Sequence, residues 1–312
     1  MAKWTASDIP SQEGRSAIVT GTGGLGLEDA LALARAGGEV IIAGRNPQKG
    51  TEALARIRSE VPSANIRFEQ LDLASLKSVE DFAARVGRQR ESLDLLINNA
   101  GVMVPPSRQE TSDGFELQFG TNYLGHFALT GHLMPLLRKG KDARVVSLSS
   151  VAARQGKIDF DDLQSQKAYN PMQAYSQSKL ACLMFAFELQ RQSDAGGWGL
   201  ASIAAHPGIS RTDLLHNSPG RWSPSGLARS FLWFLFQPAA QGALPTLHAA
   251  TAPTAKGGAY YGPDGMGEMR GYPGLSKVPP QAADQAVAER LWQISEELAG
   301  VAFRGGVVPS QN

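Results

Sequence analysis

The chain has 312 residues, with 30 Lys and Arg against 29 Asp and Glu, a net charge of +1 with histidines neutral. So even a balance leaves no electrostatic footprint for nucleic acid or for an acidic membrane surface. Hydrophobic residues make up 42 % and charged residues 19 %, which excludes a disordered chain, and the single Cys182 excludes an intrachain disulfide framework or a cysteine-rich zinc site.

One cysteine fits a reducing compartment, and the first ten residues carry no apolar signal-peptide core. The longest apolar run, 230–236, is far shorter than the ~20 residues of a spanning helix. The expectation is a cytoplasmic protein without an integral membrane segment. The 34 glycines are about 11 % of the chain against a usual ~7 %, so many tight turns or close backbone approaches are expected.

In chain order, Ser16–Thr20 is a short β-rich run that leads into glycines. Leu25–Gly37 places Leu27, Ala30, Leu31 and Ala34 at helical spacing, and Gly37 and Gly38 end it. Glu39–Ala43 is a buried strand pattern. Pro47–Glu60 is a helix, with Pro47 in its first turn and Pro62 just beyond its end. Ile66–Leu71, Leu93–Ile97, Arg144–Leu148 and Leu200–Ala204 are further strands. Ser75–Val86, Phe115–Leu137 and Gln173–Gln192 are the helices between them. Strands apolar along their whole length and separated by helices imply a parallel sheet covered on both faces. Ligands in such a doubly wound fold bind beyond the carboxyl ends of the strands. After about residue 213 prolines break the pattern into short pieces. Gly257–Tyr261 is expected as an edge strand and Ala283–Leu298 as a C-terminal helix. No flexible linker intervenes, so residues 15–312 read as one domain after an extension of residues 1–14.

The first strand runs into Thr20-Gly21-Thr22-Gly23-Gly24-Leu25-Gly26. Gly21, Gly23 and Gly26 satisfy the dinucleotide fingerprint, and the loop follows a strand and opens a helix, as the motif requires. The bland alternative is a glycine-rich turn. At the end of the second strand stands Gly44-Arg45-Asn46-Pro47, with no carboxylate to hold a ribose 2′-hydroxyl. A guanidinium there suits a 2′-phosphate, so the cofactor is expected to be NADP(H); otherwise Arg45 is a solvated loop residue.

Tyr175 and Lys179 stand four apart, hence on one face of a helix. A neighbouring ammonium favours the phenolate of a tyrosine that would otherwise titrate near pH ~10. Alone the pair would suit an amphipathic surface helix. It is accompanied by Ser149-Ser150 after the fifth strand, Asn98-Asn99-Ala100-Gly101 after the fourth, Asn122 within Thr121–Phe127, and His206-Pro207-Gly208 after the sixth, leading to Thr212.

On these motifs the sequence resembles the short-chain dehydrogenase/reductase family over about residues 15 to 300, and most resembles its branch of retinol dehydrogenases and WW-domain-containing oxidoreductases. The branch markers are Ala43–Pro47, Asn122–Phe127, Gly156–Phe160 and Tyr175–Ala181. The resemblance implies a single-domain Rossmann-type α/β fold with a substrate lobe at about 213–275. It implies that Tyr175 exchanges the proton at the substrate oxygen, Lys179 lowers its pKa and holds the nicotinamide ribose, Ser150 rather than Ser149 orients the substrate oxygen, and Asn122 holds a water in a proton relay. It also implies that Gly21, Gly23, Gly24, Leu25, Gly26, Asn99, Ala100 and Gly101 line the cofactor, Asp72 and Leu73 meet the adenine, and Pro207, Gly208 and Thr212 meet the nicotinamide.

Two departures stand out. The glycine loop lacks one residue between Gly21 and Gly24, and Tyr175 follows Ser150 by 25 positions, a spacing that the insert Gln155–Met172 shares with the branch. The reading is an NADP(H)-dependent interconversion of a hydrophobic alcohol and its ketone or aldehyde. The alternatives are a catalytically silent nucleotide-binding scaffold or sensor, favoured only by the shortened loop, and reduction of a C=C bond on the same site. No metal-ligand spacing and no serine-hydrolase elbow occur. Cys182 reads as a small buried hydrophobe, and His206 as a packing residue at least as readily as a ligand contact. The apolar stretch Arg221–Phe236 reads equally as a lid over a hydrophobic substrate or as a packing surface. A homo-oligomer is compatible with the family.

Overall fold

The computed structural model describes residues 3–210 and 237–303. Eight strands form one sheet: β1 (Ser16–Thr20), β2 (Glu39–Gly44), β3 (Ile66–Gln70), β4 (Leu95–Asn98), β5 (Arg144–Leu148), β6 (Ala201–Ala205), β7 (Tyr260–Pro263) and β8 (Pro273–Leu275). Their order is β3-β2-β1-β4-β5-β6-β7-β8. β1 to β7 pair in parallel, and β8 alone is antiparallel, opposing Tyr261 with Leu275. The expected edge strand therefore runs parallel inside the sheet, and the edge is a short strand that the sequence pattern did not announce.

The helices are α1 (Gly24–Arg35), α2 (Pro47–Glu60), α3 (Leu76–Gln89), α4 (Gly125–Leu137), α5 (Pro171–Gly196), α6 (Ala239–Thr251) and α7 (Gln285–Ala299). Two apolar layers sandwich the sheet. Val19, Ile42, Ile97 and Val146 face α1, α2 and α6, while Ile18, Ile41, Leu96 and Val145 face α3, α4 and α5. Burial on both faces explains why β1, β2 and β4 are apolar throughout rather than alternating. Side-chain caps set helix starts: Asn46 accepts from the Lys49 amide ahead of α2, and Asn170 from Met172 and Gln173 ahead of α5. The segment before β1 docks rather than trails, with Trp4 edge-on to His248 of α6 at 5.2 Å between ring centroids.

The chain winds outward from β1 to β3, then returns to place β4 on the other side of β1. The loops after β1 and β4 therefore diverge to opposite faces and leave a crevice between them. The expected helix Phe115–Leu137 is interrupted by a π-helical segment, Phe119–Leu124, in which the Gly125 amide reaches back five residues to the Gly120 carbonyl. Among the described residues, no helix is long and apolar enough to cross a membrane.

Candidate active site

At the carboxyl end of β1 the chain turns through Gly21, whose φ of +99° is a left-handed conformation natural to glycine. Thr20 organises the crevice: its hydroxyl accepts from the amides of Asn99 (2.9 Å) and Ala100 (3.0 Å), and its carbonyl accepts from Asn99 Nδ2 (2.7 Å). The β1 and β4 loops are thereby tied together. A Cβ on Gly26 would stand 2.5 Å from both Asn99 Nδ2 and the Gly21 carbonyl, so the loop closes this tightly only around glycine. Helix α1 begins at Gly24, and its free amides face the crevice, an arrangement suited to a pyrophosphate.

A cleft of about 830 Å³ runs from this loop across the carboxyl ends of the strands. Its wall includes Gly21, Gly23, Gly24, Leu25, Asn99, Ala100, Gly101, Ser150, Tyr175, Lys179, Pro207 and Gly208, so these sequence-selected residues converge on one cavity. Gly26 and Asn122 stand behind the wall, Asp72 and Leu73 are not among its lining residues, Arg45 is exposed beside the cleft, and Thr212 lies outside the described residues, as does the stretch Arg221–Phe236. The sequence reading missed Lys49, one turn into α2, which lines the cleft. Arg56, which also lines it, is paired with Glu28 at 3.0 Å, whereas Lys49 and Arg45 have no ion-pair partner among the described residues. A second cleft of about 580 Å³ lies at the opposite ends of the strands; there Glu39 pairs with Arg67 and Arg90, so its charges are matched within the protein.

Helix α5 is buried on nearly every side from Ala174 to Ala186, which contradicts the surface-helix alternative for Tyr175 and Lys179. Tyr175 is 7 % and Lys179 5 % exposed, and both face the cleft. A lysine this buried needs partners; Lys179 Nζ donates to the Leu148 carbonyl at the end of β5 (3.1 Å). Ser149 and Ser150 part company. Ser149 Oγ donates to the Lys179 carbonyl (2.8 Å) and pins β5 to α5, while Ser150 caps the following 3-10 turn by accepting from the Ala152 amide (3.2 Å). The Ser150 hydroxyl proton remains available toward the cleft.

Asn122 is fully engaged from the π-helical segment. Its Oδ1 accepts from the Val102 amide (2.7 Å), and its Nδ2 donates to the Val102 carbonyl (2.9 Å) and Ser178 Oγ (3.0 Å). Its main-chain carbonyl accepts from His126 Nδ1 (2.9 Å) and Cys182 Sγ (3.2 Å). Since a carbonyl only accepts, His126 carries its proton on Nδ1, and Nε2 accepts from the Thr20 hydroxyl at 2.9 Å. Burial, aided by the Lys179 charge, pushes the His126 pKa down to about 4, so the ring stays neutral. Thr20, His126 and Asn122 thus link the glycine loop to the strut beneath Gly101. The sequence motif contained His126, but only the fold shows what it joins. Cys182 is buried, and burial raises its thiol pKa, as expected of an inert cysteine. Among the described residues no cluster of His, Cys, Asp or Glu is placed to hold a metal ion.

A dinucleotide crevice at the β1/β4 switch point, with a buried Tyr–Lys pair and a serine on its far wall, defines a class: the chain belongs to the short chain dehydrogenase family, whose model matches residues 15–221. Within that family it is similar to retinol dehydrogenase 13 of Mus musculus, 42 % identical over 303 residues covering 94 % of this chain and 86 % of that one. It is also similar to polyprenol dehydrogenase of Mus musculus, 41 % identical over 299 residues covering 94 % and 86 % of the two chains. Among solved structures, an uncharacterized protein from Mycobacterium Paratuberculosis superimposes with a TM-score of 0.80 at 38 % identity, covering 97 % of this chain and 99 % of that chain.

Proposed function

We propose that the protein is an NADP(H)-dependent oxidoreductase that interconverts a hydrophobic alcohol and its aldehyde or ketone. The observation that carries the reading is the burial of Tyr175 and Lys179 side by side in the wall of the cleft that begins at the glycine loop. The cleft fits a dinucleotide on its own geometry: a wall kept thin by glycines, free helix-α1 amides at one end, Lys49 in the wall and the exposed Arg45 after β2, neither cation ion-paired among the described residues. Gly21 to Leu25 would hold the pyrophosphate, Arg45 and Lys49 the 2′-phosphate, and Asn99 to Gly101 with Pro207 and Gly208 the nicotinamide half. The bound nicotinamide supplies or accepts the hydride.

The remaining chemistry falls to the chain. Ser150 donates its hydroxyl proton to the substrate oxygen and fixes its position. Tyr175 gives that oxygen a proton in reduction and takes it back in oxidation. Lys179 stands one helical turn from Tyr175 in the same cleft wall. Lys179 keeps its own position through Leu148, and Ser149 holds the helix backbone that carries it. Asn122 braces the Val102 backbone through its side-chain amide. An apolar substrate is supported by relatives named for retinol and polyprenol. Met103 and Met172 offer apolar surface in the cleft wall.

Fluorescence titration with NADPH and, separately, NADH tests the cofactor assignment. Tight NADPH binding, weakened by Arg45→Ala, with NADH weak throughout, is expected. Equal affinity for both cofactors, unmoved by Arg45→Ala, would refute it.

A further inference from the structure

Three separate segments meet behind the end of the cleft where Pro207 and Gly208 stand. The first is His206 at the end of β6, wholly buried. Its Nδ1 accepts from the Gly208 amide (3.1 Å), so the single proton of the neutral ring sits on Nε2 and points at Glu268 Oε2 (3.0 Å) and Ser276 Oγ (2.8 Å). The second is the connection between β7 and β8, which supplies Glu268; its other carboxylate oxygen accepts from the Lys277 amide (3.1 Å). The third is the turn that follows Ser150, from which Arg154 reaches Glu268 Oε2 at 2.6 Å and the Gly267 carbonyl at 3.3 Å.

Glu268 is held there at a cost. Its φ is +57°, a left-handed conformation outside glycine's preference, immediately after Gly267 at +67°. Such a residue is strained and persists only where its surroundings over-determine it. Here that conformation turns the next carbonyl, Met269, onto the Ile209 amide (2.8 Å). The approach is so close that a Cβ on Gly208 would lie 2.4 Å from the Met269 oxygen. The carboxylate holds the loop, and the loop in turn holds the backbone of Gly208 and Ile209, both of which line the cleft.

We propose that Glu268, through His206 and Arg154, is a positioning residue that latches the Pro207–Ile209 turn in the form that receives the nicotinamide half of the cofactor. The proposal rests on the NADP(H) reading above. Glu268 is an anion at any working pH: the His206 hydrogen bond above all, with the Lys277 amide, Ser276 and Arg154, holds its carboxyl down to about 2 against its burial. Because Arg154 follows Ser150 by four positions, the latch also ties the serine's turn to the nicotinamide wall.

The test separates the two ends of the cofactor by calorimetric titration of the full chain with NADPH and with adenosine 2′,5′-bisphosphate, which occupies only the adenosine end. Glu268→Ala is expected to weaken NADPH about tenfold, the worth of one buried charge-assisted contact, and to leave the bisphosphate within about twofold. Glu268→Gln, which keeps one acceptor oxygen and loses the charge, should weaken NADPH less. Arg154→Met should weaken NADPH in the same sense, and combined with Glu268→Ala it should add little to the single change. Arg154→Met also serves as the test if Glu268→Ala does not fold. Unchanged NADPH affinity in these variants would overturn the latch, and so would equal losses for both ligands, which would report general loosening. Wild-type protein that binds neither ligand would instead overturn the NADP(H) reading, and the latch with it.

Discussion

Substituting Gly26 by alanine probes the cradle through one methyl group. Gly26 lies in the first turn of α1 with a negative φ, so alanine is conformationally welcome there and would by propensity add up to ~1 kcal/mol. Packing opposes this. The new Cβ would sit 2.5 Å from the Gly21 carbonyl and from Asn99 Nδ2, where ordinary contact begins at 3.4 Å. The loop must retreat by about 0.9 Å, and neither neighbour is free to yield: one is backbone, and the other is held to the Thr20 carbonyl. Overpacking of this kind costs roughly 1–3 kcal/mol, so the fold should survive with a net loss of up to about 2 kcal/mol. The same retreat breaks the geometry of amide contacts to phosphate, each worth about 1.5–3 kcal/mol, and should weaken NADPH binding roughly ten- to hundredfold. Gly87→Ala is the control: it too is helical, but a Cβ there meets nothing within 4 Å, so it should gain up to ~1 kcal/mol without touching affinity. Urea denaturation and NADPH fluorescence titration read both quantities. Gly26→Ala protein that binds NADPH as tightly as wild type would refute the reasoning.

Lys49→Ala should weaken NADPH about tenfold and leave NADH unchanged, since a charge-assisted contact to the 2′-phosphate is lost; parallel titrations decide it. Asp29 of α1 is fully buried, and neither carboxylate oxygen has a hydrogen-bond partner among the described residues. Burial, with a smaller push from Glu28, raises its pKa well above the usual carboxylate range. Both folded and unfolded forms are protonated at low pH. As pH rises past the unfolded value the unfolded chain alone ionises, so stability falls until the folded pKa is reached. Asp29→Ala should therefore be more stable than wild type, by about 1–3 kcal/mol less the small void it leaves, and the gap should be larger at pH 7 than at pH 4. Urea midpoints at the two pH values would contradict this if the gap were constant or reversed.

Most of the sheet was legible because its strands are covered on both faces, which leaves an unbroken apolar run such as Val40–Ala43 that only a buried strand explains. What escaped depends on contacts distant in sequence. β8 is three residues with a half-exposed pattern, and it is a strand only because Tyr261 and Pro263 offer it an edge. α6 contains Pro245, so composition argues against a helix that packing sustains. The π-helical segment has the same apolar periodicity as an ordinary helix, yet it is what turns the Asn122 carbonyl toward His126 and Cys182. At the site, the motif residues Tyr175, Lys179, Ser150 and the glycine loop were readable from spacing and do line one cleft. Lys49 was overlooked because a lysine in the first turn of an exposed helix carries no signal of its own. Glu268 was overlooked because its partners lie 62 and 114 positions away, at His206 and Arg154.

Tyr175 is proposed as the group that exchanges the proton with the substrate oxygen. The most direct measurement is NADPH consumption with a panel of hydrophobic aldehydes and ketones by wild type and by Tyr175→Phe, each first shown by fluorescence to bind NADPH. Turnover by wild type is expected, with a loss of at least about a hundredfold in Tyr175→Phe at unchanged NADPH affinity, the contribution of a positioned general acid. Turnover that survives in Tyr175→Phe within a few fold of wild type would contradict it.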